Sequence, residues 1–264
     1  MSVKLPYETI RNIRDLGGEI TGDGRKIRSG RLIRSGQMPE LSEADQKSLS
    51  DSVSVVVDFR TDMERELKPE EELPGIEYHH ISIVGSFTAG ISREGKSDKE
   101  LLGALLMKPA EAKAYMCKMY QSIALSDYAY SQYASFFRIL LEDHEKAVLW
   151  HCTAGKDRAG AAAAMIEEIL GIPRQVIVEE YLRSNQYLVG EDRMVKELVN
   201  KETGMENPVA AESIRYLLGA EQEYIETFFG TVDERFGSFE AFVHEGLRLT
   251  EAEVETLKKL YLTD

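Results

Sequence analysis

Two apolar runs set the frame of this chain. Val53–Asp58 is β-branched and apolar, which predicts a buried strand, and Ala147–Trp150 is a shorter run of the same kind. Ile76–Val84 adds a further strand candidate. Near the start, Gly17, Gly18, Gly22, Gly24 and Gly30 punctuate short alternating segments, so Lys26–Ser29 and Arg31–Arg34 read as hairpin-like strands. Between the strands the period changes from two to three and four. Ser42–Leu49 predicts a helix with Ser42 as its N-cap and Asp45 three residues on, in a capping-box-like position. Glu111–Leu125 and Tyr128–Glu142 predict two amphipathic helices. After Trp150 almost everything is helical: Arg158–Leu170, Arg174–Leu188 with Pro173 at its first position, Asp192–Asn200, Val209–Phe229, Ser238–Glu245 and Glu251–Leu262. Strands alternating with helices imply an α/β fold, a central and mostly parallel sheet flanked by helices, in one domain over residues 1–264. Residues 85–125 break the rhythm. They mix Gly, Ser and charge before turning helical, and they read as a lid insertion whose Phe87, Tyr115, Met116 and Met119 either line an entrance or belong to the ordinary core.

Composition narrows the function. The 264 residues are 43% hydrophobic and 30% charged, enough for a packed core. A net charge of −14 removes the basic footprint of a nucleic-acid binder, so any anion site must work through local charge and backbone dipoles. Two cysteines, Cys117 and Cys152, make no disulfide scaffold. No signal-like leader and no membrane-length apolar run is visible, which predicts a cytoplasmic chain without integral membrane association. No metal-ligand spacing is present either, and neither a metal nor a cofactor is expected.

The chemistry sits in His151–Gly160, between the Trp150 strand and a helix-forming run. Cys152 precedes the helix start, where backbone N–H groups and the helix dipole favour both a thiolate and a bound phosphate. Thr153, Ala154, Gly155, Lys156 and Asp157 can curl with their N–H groups inward, and Arg158 closes the ring with a fork suited to two phosphate oxygens. Gly155 admits a backbone conformation closed to other residues. His151 is placed to fix the cysteine strand by hydrogen bonding. The competing reading is an inert buried cysteine with a surface arginine. The phosphate-loop NTPase pattern is absent, because Asp157 stands where Ser or Thr is required.

These ten residues, HCTAGKDRAG, resemble the signature loop of the bacterial tyrosine phosphatases with an HCxxGKDR motif. The likeness continues in Asn12–Gly18, in Arg31–Gly36, in Val55–Arg60 followed by Glu64, and in the Gly171–Pro173 turn. It implies a cysteine-dependent phosphatase acting on phosphotyrosine proteins, phosphoinositides or both, through a phosphocysteine intermediate, with Cys152 as nucleophile and Arg158 and the loop N–H groups holding the phosphoryl oxygens. One departure is Ala159, where Thr or Ser is commoner; without that hydroxyl the thiolate leaves its phosphate more slowly.

The proton donor is left open. The chain has no Trp-Pro-Asp, since its one tryptophan is Trp150. Asp58, ending a strand that can reach the edge where Cys152 lies, and Asp157, inside the loop, are both candidates, with structural ion pairing as the alternative for each. Arg60 is a candidate substrate contact, and Lys156 could engage a second phosphate. Asp15 reads as a turn residue, and Cys117 as helix packing. Rival functions are a small-phosphoester or inositol polyphosphate phosphatase, a sulfur carrier, for which the five-residue spacing is too long, and a phosphate-binding pseudophosphatase.

Overall fold

A computed structural model describes residues 2–84, 103–188 and 207–263. Its centre is a six-stranded sheet made of β1 (Val3–Lys4), β2 (Arg14–Asp15), β3 (Leu32–Ser35), β4 (Val53–Asp58), β5 (Glu77–His80) and β6 (Ala147–His151), in the order β1-β2-β3-β6-β4-β5. β3, β6, β4 and β5 run parallel, and β1 and β2 extend the β3 edge in antiparallel fashion. The expected α/β architecture is therefore present. Of the two predicted hairpin strands, Arg31–Arg34 is present as β3, shifted by one residue, but Lys26 and Ile27 make only isolated bridges, Ile20 to Lys26 and Ile27 to Leu262. At that end Arg28 N–H also donates to Tyr261 O and Thr263 N–H to Lys26 O.

Period-two alternation decides what each face of the sheet carries. Val55 and Val57 of β4, and Val148 and Trp150 of β6, join the larger core cluster. Val56, Ile33 and Leu149 belong to a smaller cluster on the opposite face, with Leu49. Val53 and Val55 lie in different clusters although two residues apart, because the pairing with β6 slips between them and a slip of one residue reverses the face.

Helix α1 (Glu43–Ser52) begins as predicted, with the Ser42 hydroxyl accepting from Asp45 N–H. The Asp45 carboxylate does not complete a capping box. It accepts instead from Glu8 N–H at 3.0 Å and Thr9 N–H at 2.7 Å, tying the N-terminal segment down. Helix α2 (Asp62–Leu67), which the apolar pattern does not reveal, has a full capping box between Thr61 and Glu64. Helices α3 (Pro109–Leu125), α4 (Asp127–Leu140), α5 (Arg158–Ile169) and α6 (Arg174–Leu182) cover the larger cluster, with Pro173 as N-cap of α6 rather than its first residue. A short helix α7 (Ser184–Tyr187) follows. The predicted Val209–Phe229 helix is two, α8 (Pro208–Leu218) and α9 (Gln222–Phe236), broken at Gly219. Helices α10 (Phe239–Glu245) and α11 (Glu251–Tyr261) close the chain.

The lid expectation changes in part. Residues 85–102, including Phe87, and the predicted Asp192–Asn200 helix lie outside the described residues. Met116 and Met119 are core residues of α3, which packs on α8 and α9, and Tyr115 is partly buried against the same cluster. Cys117 is half-buried and packs there too. Among the described residues no helix is long and apolar enough to cross a membrane.

Candidate active site

The loop from Cys152 to Arg158 leaves β6, between β3 and β4 in the sheet, and enters α5. Its shape is imposed by what holds its carbonyls. Thr153 C=O accepts from Gln37 N–H at 3.1 Å, Ala154 C=O from Asn12 Nδ2 at 2.9 Å, and Gly155 C=O from Arg34 at 2.8 Å, which also reaches Lys156 C=O at 3.3 Å. In a trans peptide the N–H points opposite its C=O. Fastening these carbonyls to the scaffold therefore turns the succeeding N–H groups, those of Ala154, Gly155, Lys156 and Asp157, to the inside of the turn. Gly155 has φ +68°, and a Cβ there would lie 2.4 Å from the Ser35 backbone, so glycine is required on both counts.

Arg34 is itself held from behind. Its other amino group donates to Glu180 of α6 at 2.7 Å, and Arg14 pairs with the other oxygen of the same carboxylate. All three side chains are buried, so two charged arginines share one anion beneath the loop. Arg14 is lowered to about 10, first by burial and then by Arg34.

Cys152 is 1% exposed and packs with the larger cluster. Arg158 is also buried, and its guanidinium meets Glu64 of α2 with two bonds of 2.6 and 2.7 Å. Thr153 Oγ1 donates to the same carboxylate. Burial works against the Arg158 charge, but Glu64 outweighs it and holds the guanidinium above its ordinary value. Burial alone would raise Glu64; its bonds and charge contact with Arg158 bring it down to about 2 instead. Arg158 Nε, buried, has no hydrogen-bond partner among the described residues. Glu64 is the main residue that sequence reasoning missed. Its signal was the Thr61-x-x-Glu64 capping box, which starts α2 and presents the carboxylate next to the loop.

The two acid candidates have different surroundings. Asp58 does reach the same edge as Cys152, pairing with His151 across the β4/β6 ladder, but on the other face of the sheet. There it is locked to Arg60 by bonds of 2.8 to 3.1 Å, with His151 Nε2 at 3.8 Å and Arg65 at 3.4 Å. Burial opposes the Asp58 anion, yet His151 and Arg60 hold its carboxyl well below the usual carboxylate range. Arg60, expected as a substrate contact, is 1% exposed and is also bonded by Glu70 at 3.2 Å and Lys68 C=O at 2.9 Å, within an internal ion-pair cluster. Asp58, Glu70 and His151 place ligand atoms within 4.8 Å of one another, close enough for a cation, but Arg60 already bonds both carboxylates; the other such group among the described residues, Glu240, His244 and Glu251, is exposed.

Asp157 stays with the loop. It is 8% exposed, and its Oδ1 accepts from Tyr120 OH at 2.8 Å. Lys156 turns inward. Its side chain is fully buried, and its Nζ donates to Gly219 C=O at 2.7 Å and Leu217 C=O at 3.4 Å, at the end of α8, and lies 3.3 Å from Asp157 Oδ1. Ala159 is buried, and its carbonyl accepts from Trp150 Nε1 at 3.0 Å.

Comparison with known proteins finds tyrosine phosphatases along the chain. The tyrosine phosphatase family profile matches residues 5–263. A provisionally named tyrosine-protein phosphatase of Cupriavidus necator is 32% identical over 262 residues, 98% of this chain and 88% of that one. The triple specificity protein phosphatase PtpB of Mycobacterium tuberculosis is 30% identical over 125 residues, 44% of each chain. A tyrosine-protein phosphatase of Nostoc commune is 27% identical over 171 residues, 64% of this chain and 53% of that one.

Proposed function

The chain belongs to the tyrosine phosphatase family, hydrolases of the protein-tyrosine-phosphatase type, and from that premise we propose that it cleaves phosphotyrosine monoesters through a phosphocysteine formed at Cys152. The observation that carries this reading is the loop itself: carbonyls fastened outward, a buried cysteine at its start and a Glu64-bound arginine at its end. In the first step the Cys152 sulfur bonds to phosphorus as the bond to the leaving oxygen breaks, and a carboxyl gives that oxygen its proton. In the second, water attacks phosphorus, the S–P bond breaks, and the same carboxylate takes the water proton. Inward N–H groups and Arg158 meet the equatorial oxygens in both. An intact cysteine and arginine favour turnover over a binding-only protein. The missing hydroxyl at Ala159 bears on the second step.

Asp157 is the acid in this reading. Asp58 lies on the far face of the sheet from Cys152, held ionised by Arg60 and His151, whereas Asp157 is in the loop itself, with Tyr120 OH and Lys156 Nζ both on its Oδ1. Asp157→Asn is expected to cost about 10²- to 10³-fold in kcat/KM on phenyl phosphate and clearly less on p-nitrophenyl phosphate, whose leaving group needs little help. Asp58→Asn should slow both substrates to the same degree. Steady-state kinetics on the two esters checks this, and the reverse pattern would return the role to Asp58.

Lys156 lends no support to phosphoinositide selectivity, because its ammonium holds the end of α8. Lys156→Ala is therefore expected to lower kcat/KM by a similar factor, about tenfold, on phosphotyrosine peptide and on a phosphoinositide, as the loop loosens for both. A loss confined to the phosphoinositide would make Lys156 a substrate contact and widen the substrate class.

A further inference from the structure

Asp157 stands at the N-cap of α5, where an aspartate ordinarily bonds the N–H groups of its own first turn. Here it makes no such bond. Its Oδ1 is drawn to Tyr120 of α3 instead, at 2.8 Å, with Lys156 Nζ 3.3 Å from the same oxygen, and Tyr120 is joined to Tyr181 of α6 by a 2.7 Å contact between hydroxyls. Both tyrosines are buried, at 0% and 1% exposure, with their rings edge to face at 6.1 Å. Tyr224 of α9 stacks on Tyr120 at 5.7 Å. The donor order follows from proton counting. The carboxylate oxygen can only accept, so Tyr120 donates to it; that uses the one Tyr120 proton, so Tyr181 must donate to Tyr120. Burial, and then the Asp157 carboxylate, push the Tyr120 phenol well above its ordinary value and keep it a donor.

We propose that Tyr120, backed by Tyr181, is the positioning residue of acid catalysis: it holds Asp157 Oδ1 away from the cap position, so that the transferable proton rides on Oδ2 at the substrate side. This rests on Asp157 being the acid. The bond also serves the transition state. As the proton passes to the leaving oxygen, negative charge grows on the carboxyl, and a donor already aimed at Oδ1 binds that charge more strongly than the neutral acid. A helix cap bond is given up in exchange.

The test is kcat/KM of Tyr120→Phe on phenyl phosphate and on p-nitrophenyl phosphate, alone and in the Asp157→Asn background, with vanadate binding and Tm recorded to show an intact loop. Tyr120→Phe is expected to lose about tenfold on phenyl phosphate, as for a hydrogen bond to a charged group, and under about threefold on p-nitrophenyl phosphate. Added to Asp157→Asn it should cost nothing more, because the group it positions is gone. Equal losses on both esters, or a full further loss in the double variant, would reduce Tyr120 to packing and overturn the proposal. If Asp157→Asn itself shows no leaving-group dependence, the acid assignment fails and the proposal falls with it; if Asp157→Asn shows it and Tyr120→Phe does not, only the proposal falls. Should Tyr120→Phe not fold, Tyr181→Phe takes its place. It removes the donor to Tyr120 alone and should give the same split between esters, about threefold against no change; no split would overturn the proposal.

Discussion

Cys152→Ser is expected to cut hydrolysis of p-nitrophenyl phosphate by at least about 10⁴-fold while leaving affinity for inorganic phosphate within a few-fold of wild type. The two quantities separate because they rest on different atoms. Binding uses the inward N–H groups and Arg158, all of which are fixed by contacts that do not pass through the sulfur: Asn12, Gln37 and Arg34 on the carbonyls, Glu64 on the guanidinium. Turnover needs a nucleophile that is an anion near neutral pH, which a serine hydroxyl is not. A steady-state assay with a calorimetric phosphate titration measures both, and trapping labelled phosphate on the wild-type chain identifies the atom. A serine variant with more than a hundredth of wild-type activity would remove Cys152 from the mechanism.

Glu64→Gln is expected to damage stability and catalysis together. The arginine it leaves behind is fully buried, and stripping one partner from a buried ion pair costs about 3–5 kcal/mol, or roughly 6–20 °C in Tm for a chain of this size. The amide keeps one acceptor oxygen where Thr153, Arg158 and Thr61 used two, so both ends of the loop loosen. Misplacing the guanidinium by about 1 Å should lower kcat/KM by about 10²-fold. The pH dependence has a definite sign. Glu64 is depressed from 4.5 to about 2 in the folded chain, so its contribution is complete above the unfolded value and is lost as pH falls from about 4.5 towards 2. Wild type should therefore lose Tm over that window, and Glu64→Gln should lose less of it. Parallel melting curves would show no difference in slope if the ion pair carried no stability.

The α/β layering could be read from Val53–Asp58 and Ala147–Trp150, because a strand buried on both faces is a local pattern. Cys152, Arg158 and Gly155 were equally local, held in one ten-residue stretch. What escaped were the groups that act across the fold. Which face Asp58 presents depends on its register against β6 and on the slip between Val53 and Val55, and no window around Asp58 contains that. Lys156 reads from its neighbours in sequence as a contact for a second phosphate; the carbonyls it bonds belong to Leu217 and Gly219, far along the chain. Glu64 had a readable cap, but α2 is six residues long and carries no apolar stripe to draw attention to it. The break at Gly219 escaped for a similar reason: apolar spacing continues across it, and there a Cβ would meet the Arg215 carbonyl at 2.5 Å.

The fastening of the loop carbonyls also sets when the protein becomes competent during synthesis. Asn12 and Arg34 leave the ribosome early, but their loop acceptors Ala154 and Gly155 follow far later, and Glu180, which steadies Arg34, later still. The bridge from Ile27 to Leu262 then joins nearly the whole length of the chain. Such distant pairings form slowly, because their entropy must be lost before their contacts are made. A nascent chain stopped short of residue 180 holds the complete HCTAGKDRAG motif but lacks Glu180, the anion that steadies Arg34 behind the loop. The ten residues are contiguous; what holds them in shape comes from both sides of them in the sequence.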